Sequence, residues 1–215
     1  MSKFLRLFMF AGCVLAAQPV EARPVSYPGG TTIITENNGD MNSLLVHYTF
    51  DGKTALGIKG EYWRDMAFGF TGLQLNYLAK RWNNADSQAN LYLKGGVGGA
   101  YSDYGAFDHE VEPAGFAGVA ADWEDRRFFV SYENRYTEAG DIADFYMQSA
   151  RVGVAPYIGE YGDLHTWLMV QVDHKPEAED HVTVTPLVRF FKDVHLVEAG
   201  MNNHGELLFN WIIRY

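Results

Sequence analysis

Apolar and polar residues alternate along most of this chain with a period of two, the pattern of a β-strand with two unlike faces. In the segment 43–50, Leu44, Val46, Tyr48 and Phe50 share one face. The same alternation recurs in ten later segments, the last of them at 206–215. After the first 22 residues, no stretch shows the period of 3.6 that marks an amphipathic helix. The pattern therefore predicts an all-β protein built from antiparallel strands.

The predicted number of strands is even, because a barrel whose last strand ends in the periplasm should also have its first strand start there. Eleven alternating segments run from residue 43 to the C-terminus, and one more strand upstream makes the number even. The segment 31–37 is the candidate, which gives twelve strands. Its alternation is poor, so ten strands remain an alternative. Pro156 and Pro186 fall inside predicted strands and are interpreted as bulge sites, because proline cannot donate to a strand ladder; a gap in the strand assignment is the alternative.

The connections between these strands provide a separate test of the pattern. Short connections are predicted at 51–53, 82–87, 124–126, 159–163 and 192–193. Between them lie connections that are mostly longer and more polar, at 64–69, 102–113, 137–144, 174–180 and 202–205. Short turns that alternate with longer loops are typical of membrane barrels, whose turns face the periplasm and whose loops face outward.

The first 22 residues have the composition of a secretory signal peptide. Lys3 and Arg6 precede an apolar run at 8–17, which is too short to span a bilayer as a helix. Cleavage is predicted after Ala22, with cleavage after Ala17 as the alternative, so residues 23–215 form the mature domain. The sole cysteine, Cys13, lies in this leader, and a lipidated Cys13 is a less favoured alternative. The mature chain then needs no thiol chemistry.

Charge and aromatic content narrow the class of protein. The net charge of −10 argues against a nucleic-acid partner, which selects basic surfaces. An exported chain with 14 Phe, 13 Tyr and 5 Trp and no later run of 18 apolar residues is either a periplasmic β-sandwich or a membrane β-barrel.

One strand face favours the barrel, because it carries charges of both signs while the opposite face is almost free of charge, as contact with hydrocarbon requires. The predicted inward charges are Lys59, Glu61, Lys80, Lys94, Asp122, Arg127, Glu133, Arg135, Arg151, Asp173, Arg189, Glu198 and Arg214. Aromatic residues near strand ends fit a girdle at each membrane surface; they are Tyr62, Trp63, Tyr77, Trp82, Tyr101, Trp123, Tyr132, Tyr136 and Tyr215.

The last ten residues carry a more specific signal. Leu207, Phe209, Trp211, Ile213 and Tyr215 alternate on one face and the chain ends on the aromatic. This segment resembles the C-terminal assembly signal of bacterial outer-membrane proteins, with Tyr in place of the commoner Phe. The resemblance implies a Gram-negative outer-membrane location, insertion by the barrel-assembly machinery, and contact with lipid and lipopolysaccharide. It identifies no narrower family, and no functional residues are carried over.

The inward charges comprise eight bases and five acids, so the lumen is predicted to be positive. Two interpretations remain open: a narrow pore for small solutes, including anionic ones, or a filled structural barrel in the envelope. The predicted outer loops are acidic and would attract divalent cations. They hold Arg64 and Lys175 against Glu36, Asp40, Asp65, Asp103, Asp108, Glu110, Glu112, Glu138, Asp141, Asp144, Glu177, Glu179 and Asp180.

Two less favoured functions rest on residues of these loops. His109, His174, His181 and His204 could bind copper or zinc, although their spacing matches no known metal motif. An omptin-like protease or a phospholipase-like hydrolase would need an acid and a His at the rim; Asp108, Asp173 and Asp180 each precede a His, and Ser102 lies near His109. Neighbours on a strand point to opposite faces, so the favoured prediction is a non-enzymatic protein without a cofactor.

Overall fold

The computed structural model describes residues 24–103 and 105–215, which form one closed, twelve-stranded antiparallel barrel. The predicted fold and the count of twelve are therefore confirmed, while the predicted signal peptide and Cys13 lie outside the described residues. The strands are β1 (Thr31–Asn37), β2 (Met41–Thr49), β3 (Thr54–Trp63), β4 (Phe68–Asn83), β5 (Ser87–Ser102), β6 (Val111–Asp125), β7 (Phe128–Ala139), β8 (Ala143–Val154), β9 (His165–His174), β10 (Val182–Lys192), β11 (His195–Met201) and β12 (Leu207–Arg214). A single 3₁₀ turn, Gly105–Phe107, lies between β5 and β6. No helix in the described parts of the chain is long and apolar enough to cross a membrane.

Pairing of the first and last strands closes the barrel. The β1–β12 register runs from Thr32 opposite Arg214 to Asn37 opposite Phe209. Tyr215 extends the ladder by one residue, because its N–H donates to Thr31 O at 2.9 Å and its carbonyl accepts from Thr31 N at 3.0 Å. The segment with the poorest alternation is thus a full barrel strand, held on both sides by its neighbours.

Each strand alternates between a buried inner face and an exposed outer face. In β2 the burial pattern is strict, with Met41, Ser43, Leu45, His47 and Thr49 buried in the lumen. The intervening Leu44, Val46 and Tyr48 are 48 %, 39 % and 45 % exposed. Apolar side chains with that exposure all round a closed sheet form a surface suited to lipid.

The two ends of the barrel differ, and they are named here by the residues they hold. The terminal end contains Thr31, Tyr215 and the connections 50–53, 84–86, 126–127, 155–164 and 193–194. The loop end contains the connections 38–40, 64–67, 103–110, 140–142, 175–181 and 202–206. The 155–164 connection has ten residues and is the longest of these, although a short turn at 159–163 was expected there. Pro156 lies in it, outside any strand, so its prediction as a wall bulge is wrong.

Pro186 does lie in a strand, but the structure places no bulge there. It pairs with Val170 of β9 in an unbroken register. The β10–β11 ladder begins only at Leu187, one residue further on. The proline therefore sits where the ladder to β11 has already ended, and its missing N–H costs little.

The one register shift recorded along the strands is in β4, between Leu78 and Lys80. The extra residue reverses the alternation, so that Arg81, not Lys80, points inward and its Nε donates to Asn90 Oδ1 at 2.6 Å. Lys80 is exposed on the outer face, with its Nζ 5.9 Å from the Trp82 ring. Arg127 is likewise exposed, in the turn before β7. The inward predictions for Lys80 and Arg127 are both wrong, the first because of the bulge and the second because the turn extends to that residue.

Aromatic residues lie on the outer face near both ends, as predicted, with one exception. Tyr62, Tyr77, Trp82, Tyr101, Trp123, Tyr132, Tyr136 and Tyr215 are 38 % to 62 % exposed. Trp63 is only 1 % exposed because it ends β3 on the inner face, where it contacts Phe145 of β8. It therefore fills the lumen and does not contribute to the girdle.

Candidate functional site: the barrel lumen

Eleven of the predicted inward charges lie on the inner wall, and most are paired there. They are Lys59, Glu61, Lys94, Asp122, Glu133, Arg135, Arg151, Asp173, Arg189, Glu198 and Arg214, and each is buried or half-buried. Strand alternation places them inside because each follows an inward neighbour by an even number of residues. Some partners are close in sequence, as Lys59 and Glu61 are, whereas Glu61 and Arg135 lie on different strands, 74 residues apart.

The first charged group joins β3 to β7. Glu61 accepts two hydrogen bonds from Arg135, at 2.6 and 2.7 Å, and its Oε1 lies 2.7 Å from Lys59 Nζ. The guanidinium of Arg135 also stacks 3.8 Å from the ring centroid of Phe116. Since β3 and β7 are four positions apart in the barrel, this bidentate pair is a strut across the lumen.

The second charged group joins the five strands β8 to β12. Glu198 lies 2.7 Å from Arg189 and 3.1 Å from Arg151, and it accepts from Asn210 Nδ2 at 2.8 Å. Arg151 also donates from Nε to Gln171 at 2.6 Å, and Gln171 in turn donates to Asp173. As in the first group, one glutamate is shared by two cations; the first group retains a formal positive charge, whereas Asp173 brings the second group to neutrality.

The remaining inner charges form smaller contacts on the other side of the barrel. Lys94 Nζ lies 2.7 Å from Glu133 Oε1, and Asp122 accepts from Asn90 Nδ2 at 2.6 Å. Arg214 is buried at the end of β12, opposite Thr32 of β1. Asn90, Gln171, Asn210 and Arg81 complete these contacts, and alternation alone gave no reason to choose them as site residues.

A cavity of about 250 Å³ lies among these groups. Its lining extends from Asn38 at the loop end to Pro24 near the terminal end. The lining charges are balanced, with the bases Lys59, Lys94, Arg135, Arg151 and Arg189 and the acids Glu36, Asp122, Glu133, Asp173 and Glu198. The predicted excess of bases is therefore wrong for this cavity, since Lys80 and Arg127 lie elsewhere and Glu36, assigned to an outer loop, points inward.

Apolar side chains narrow the lumen at the loop end. Trp63 of β3 and Phe145 of β8 are in edge contact, with their ring centroids 4.8 Å apart. These strands are five positions apart in a ring of twelve, so the two rings meet almost across the full diameter. The same cluster contains Met41, Phe68, Phe70, Ala100, Ala114, Phe116 and Ala139. Phe116 also covers the space that Gly96 leaves, because a Cβ there would be 2.3 Å from its ring.

An ion pair crosses the rest of the loop end. Lys175, in the connection after β9, pairs with Asp40, in the turn before β2. Strands β9 and β2 are also five positions apart in the barrel order. The cavity thus ends, on this side, beneath one aromatic contact and one ionic contact.

The terminal end is narrowed by the segment that precedes β1. Val25 is 2 % exposed and packs with Ala55, Leu78, Tyr92 and Ala120 inside the barrel. A second apolar cluster holds Phe129, Ala155, Trp167, Met169, Leu187 and Leu208. Phe129 and Phe116 fill part of the lumen, whereas Tyr157 is 45 % exposed in the 155–164 connection.

The histidines considered for metal binding are held in separate contacts. His109 Nδ1 lies 2.9 Å from the Tyr101 hydroxyl, His174 Nδ1 lies 2.9 Å from Gln148 Nε2, and His204 Nδ1 lies 3.5 Å from Asp180. His181 is exposed in the 175–181 connection. Within residues 24–103 and 105–215, no group of three or more His, Cys, Asp or Glu is placed to hold a metal ion.

The acid and His pairs considered for hydrolysis are also separated or exposed. Asp173 lies on the inner face of β9 and His174 on the outer face. Asp108 lies 3.6 Å from His109, but both side chains are more than half exposed. His109 contacts Ser102 through the backbone, where its N–H donates to Ser102 O at 3.0 Å.

These features define the class of protein: a small, twelve-stranded transmembrane barrel of the outer-membrane type, with a charged and partly filled lumen. Comparison with solved structures finds the same fold in a KdgM porin in complex with disordered oligogalacturonate, with a TM-score of 0.52 and 11% sequence identity over 86% of this chain and 98% of that one. A second structure, a KdgM porin, gives a TM-score of 0.50 at 12% identity, again over 86% and 98% of the two chains. No protein-family model and no curated protein matches the chain. At this identity the likeness shows the fold alone.

Proposed function

We propose that this protein is a narrow channel of the bacterial outer membrane for small anionic solutes. The observation that carries the proposal is the cavity wall on which Arg151 and Arg189 share Glu198. Glu198 alone cannot neutralise two guanidinium groups, so an anionic group beside this part of the wall meets a locally positive potential, although the charges that line the whole cavity are balanced. Oligogalacturonate, a chain of sugar acids, is bound by one porin of the same fold, and this supports an acidic saccharide as a solute class.

The cavity volume limits what can pass without movement of side chains. Pockets that enclose drug-sized ligands measure about 300–1,000 Å³, whereas this cavity is about 250 Å³. Water and small ions fit it as it stands. A sugar acid would have to displace side chains at the loop end, which is why we propose a narrow channel and not an open porin.

We further propose that the terminal end faces the periplasm and the acidic loop end faces outward toward lipopolysaccharide and divalent cations. The support is a set of alternating residues at the end of the chain, which closes the barrel: Leu207, Phe209, Trp211, Ile213 and Tyr215, all exposed except Ile213. That set has the form of a signal read by the barrel-assembly machinery. We propose no catalytic activity, because Asp173 and His174 lie on opposite faces.

Planar-bilayer conductance of the refolded protein tests the channel directly. We expect steady steps with an anion preference in the reversal potential under a salt gradient. Replacement of Arg151 by Gln should reduce that preference, because it removes a cation from the cavity wall. Replacement of Lys80 by Gln is the matched control, since this lysine lies on the outer face. The absence of steps from protein shown to be folded would contradict the proposal.

A second candidate function is a structural barrel of the envelope. It is favoured by one observation: aromatic and ionic contacts join opposite walls at the loop end, while Val25 and its neighbours fill the terminal end. A structural barrel would resist heat and give no conductance, including in the variants described next.

A further inference from the structure

The Lys175–Asp40 ion pair has the position of a latch at the mouth of the lumen. It connects the seven-residue connection after β9 to the three-residue turn between β1 and β2. Both side chains are largely buried, at 12 % and 28 % exposed. An ion pair shielded from water is stronger than one on an open surface, so it can hold two loops together.

One side of this latch is fixed. Asn38 Oδ1 accepts hydrogen bonds from the N–H groups of Asp40 and Met41, each at 2.9 Å. Arg64 donates from its backbone N to Asp40 O at 2.8 Å and from Nε to Gly39 O at 3.0 Å. The turn that carries Asp40 is thereby tied to the connection between β3 and β4.

The other side of the latch, the connection 175–181, is the side that we expect to move. Lys175 belongs to a connection in which its own N–H donates to His181 O at 3.0 Å, at the base of the loop. The residues between them, 176–180, include three acids, Glu177, Glu179 and Asp180. Two of these acids contact neighbouring segments, since Tyr146 N–H donates to Glu177 Oε2 at 3.3 Å and His204 lies 3.5 Å from Asp180. These contacts are longer than those of the braced turn and the acids are exposed, so movement of this loop is favoured over movement of that turn.

The cavity lies directly beneath this pair. Asn38, Glu36 and Asp173 all belong to its lining, and they are close in sequence to Asp40 and Lys175. A solute that enters here passes acids on both sides. The other cation of these loops, Arg64, donates to Gly39 O and Asn42 Oδ1 within the braced turn. Lys175 is the cation placed over the cavity, and its partner is a single carboxylate that another anion can replace.

We propose that Lys175 is the entry residue for anionic solutes: an incoming carboxylate takes the ammonium group from Asp40, and the mouth opens as the pair separates. This inference rests on the channel proposed above. The exchange needs no change in total charge, because one anionic partner of Lys175 replaces another. It also gives selectivity, since a neutral solute of equal size cannot release the latch.

A charge-exchange series in planar bilayers tests this assignment. The variants are Lys175→Gln, Asp40→Asn and the exchanged double variant Lys175→Asp/Asp40→Lys. The probes are a short oligogalacturonate and a neutral oligosaccharide of the same length, and the readouts are the closed fraction of the current and the concentration that half-blocks it. Glu160→Gln is the matched control, because Glu160 pairs with Arg126 on the opposite end with both side chains exposed.

Both single variants should reduce the closed fraction, because each breaks the pair. Lys175→Gln should weaken block by oligogalacturonate about tenfold or more, as expected when one charge-assisted contact is lost. Asp40→Asn should strengthen that block, because Lys175 no longer has a competing carboxylate. The exchanged variant should close again but bind oligogalacturonate poorly. The neutral sugar should block the wild type and the exchanged variant equally weakly, and both single variants more strongly, because in these the pair is already broken.

The outcomes separate this inference from the channel itself. If the wild type conducts with anion preference and both single variants match it and Glu160→Gln, the latch is wrong and the channel stands. If the exchanged variant remains as open as the single variants, closure does not depend on the ion pair and the inference also fails. If no variant conducts although a gel shift shows each to be folded, the proposed function fails first.

Discussion

Glu61 shows, at the scale of single residues, how this lumen tolerates buried charge. Its side chain has no exposure to water, and it is matched by Lys59 on the same strand and by Arg135 across the barrel. Burial of an isolated carboxylate is strongly unfavourable, but a bidentate guanidinium and an ammonium satisfy its oxygens. The group therefore stabilises the barrel only while all three members are present.

Replacement of Glu61 by Gln should be strongly destabilising, because it leaves two buried cations without their anion. Loss of one partner from a buried pair costs about 3–5 kcal/mol. Thermal unfolding in detergent, followed by the heat-dependent gel shift of barrels, measures the effect. Glu160→Gln removes a carboxylate from an exposed pair and should leave the unfolding temperature nearly unchanged. Equal stability of Glu61→Gln and Glu160→Gln would show that the cross-barrel strut does not contribute to stability.

Alternation in the sequence was enough to predict which charges face inward, but not how they pair. The period of two holds strictly in most strands, so Glu61, Arg135 and Glu198 could be placed from their neighbours alone. Lys80 was misplaced because a bulge leaves no clear mark in the surrounding residues. The partner of Glu61 could not be predicted, since Arg135 is 74 residues away and alternation does not tell which inward side chains meet across the lumen.

At the scale of elements, β4 and β5 approach each other so closely that only glycine fits at one pair of inward positions. Gly72 and Gly98 are opposite in the register. A Cβ on Gly98 would lie 2.2 Å from Thr71 O, and one on Gly72 would lie 2.3 Å from Val97 O. Since backbone atoms cannot move aside as a flexible side chain can, this close contact fixes the spacing of the two longest strands.

Substitution of Gly98 by Ala should therefore disturb the β4–β5 ladder. Overpacking of a tight site costs about 1–3 kcal/mol, and more where backbone must move. Gly99→Ala is the control, because a Cβ on that outward residue would be 3.8 Å from its nearest neighbour, an ordinary contact. Refolding yield and unfolding temperature in detergent should fall for the first variant and not for the second. Equal yields would mean that the two strands can separate at no cost.

The strands themselves were predictable, while some of their limits were not. The eleven clear segments of alternation each correspond to a strand. The weak segment 31–37 is the twelfth strand, and it was predicted because the number of strands had to be even. The connection at 155–164 was predicted to be short because 150–158 continues the apolar pattern beyond Val154. Alternation cannot distinguish a residue in a ladder from an apolar residue in the connection that follows it.

At the scale of the whole molecule, contacts between opposite walls make the lumen unlike that of a wide pore. Trp63 with Phe145, Lys175 with Asp40, and Val25 with Tyr92 each fill space near one end. A closed barrel was predictable from the alternation and from the even number of strands. These contacts were not predictable, because each joins residues of distant strands or of the segment that precedes β1. Together they leave a charged cavity between two narrowed ends.

The reactivity of an introduced cysteine can test whether the two ends of the barrel restrict access to the cavity to different extents. The only natural cysteine, Cys13, lies in the predicted signal peptide, so one introduced thiol would be unique in the mature chain. Ser149 lines the cavity, whereas the next residue, Ala150, is exposed on the outer face. In oriented proteoliposomes, Ser149→Cys should react with an impermeant anionic thiosulfonate, and Ala150→Cys should not, because its side chain faces lipid.

The rate at which Ser149→Cys reacts should also differ between the two sides of the membrane. Apolar side chains exclude a charged reagent more strongly than an exchangeable ion pair does, because a charge cannot enter an apolar gap without losing its hydration. Reaction of Ser149→Cys should therefore be faster from the loop end, where the Lys175–Asp40 pair beside the Trp63–Phe145 contact can separate, than from the terminal end, where Val25 packs. Val25→Gly in the same background should raise the rate from the terminal end alone. Equal rates from both sides before that change would mean that the segment preceding β1 does not restrict the lumen.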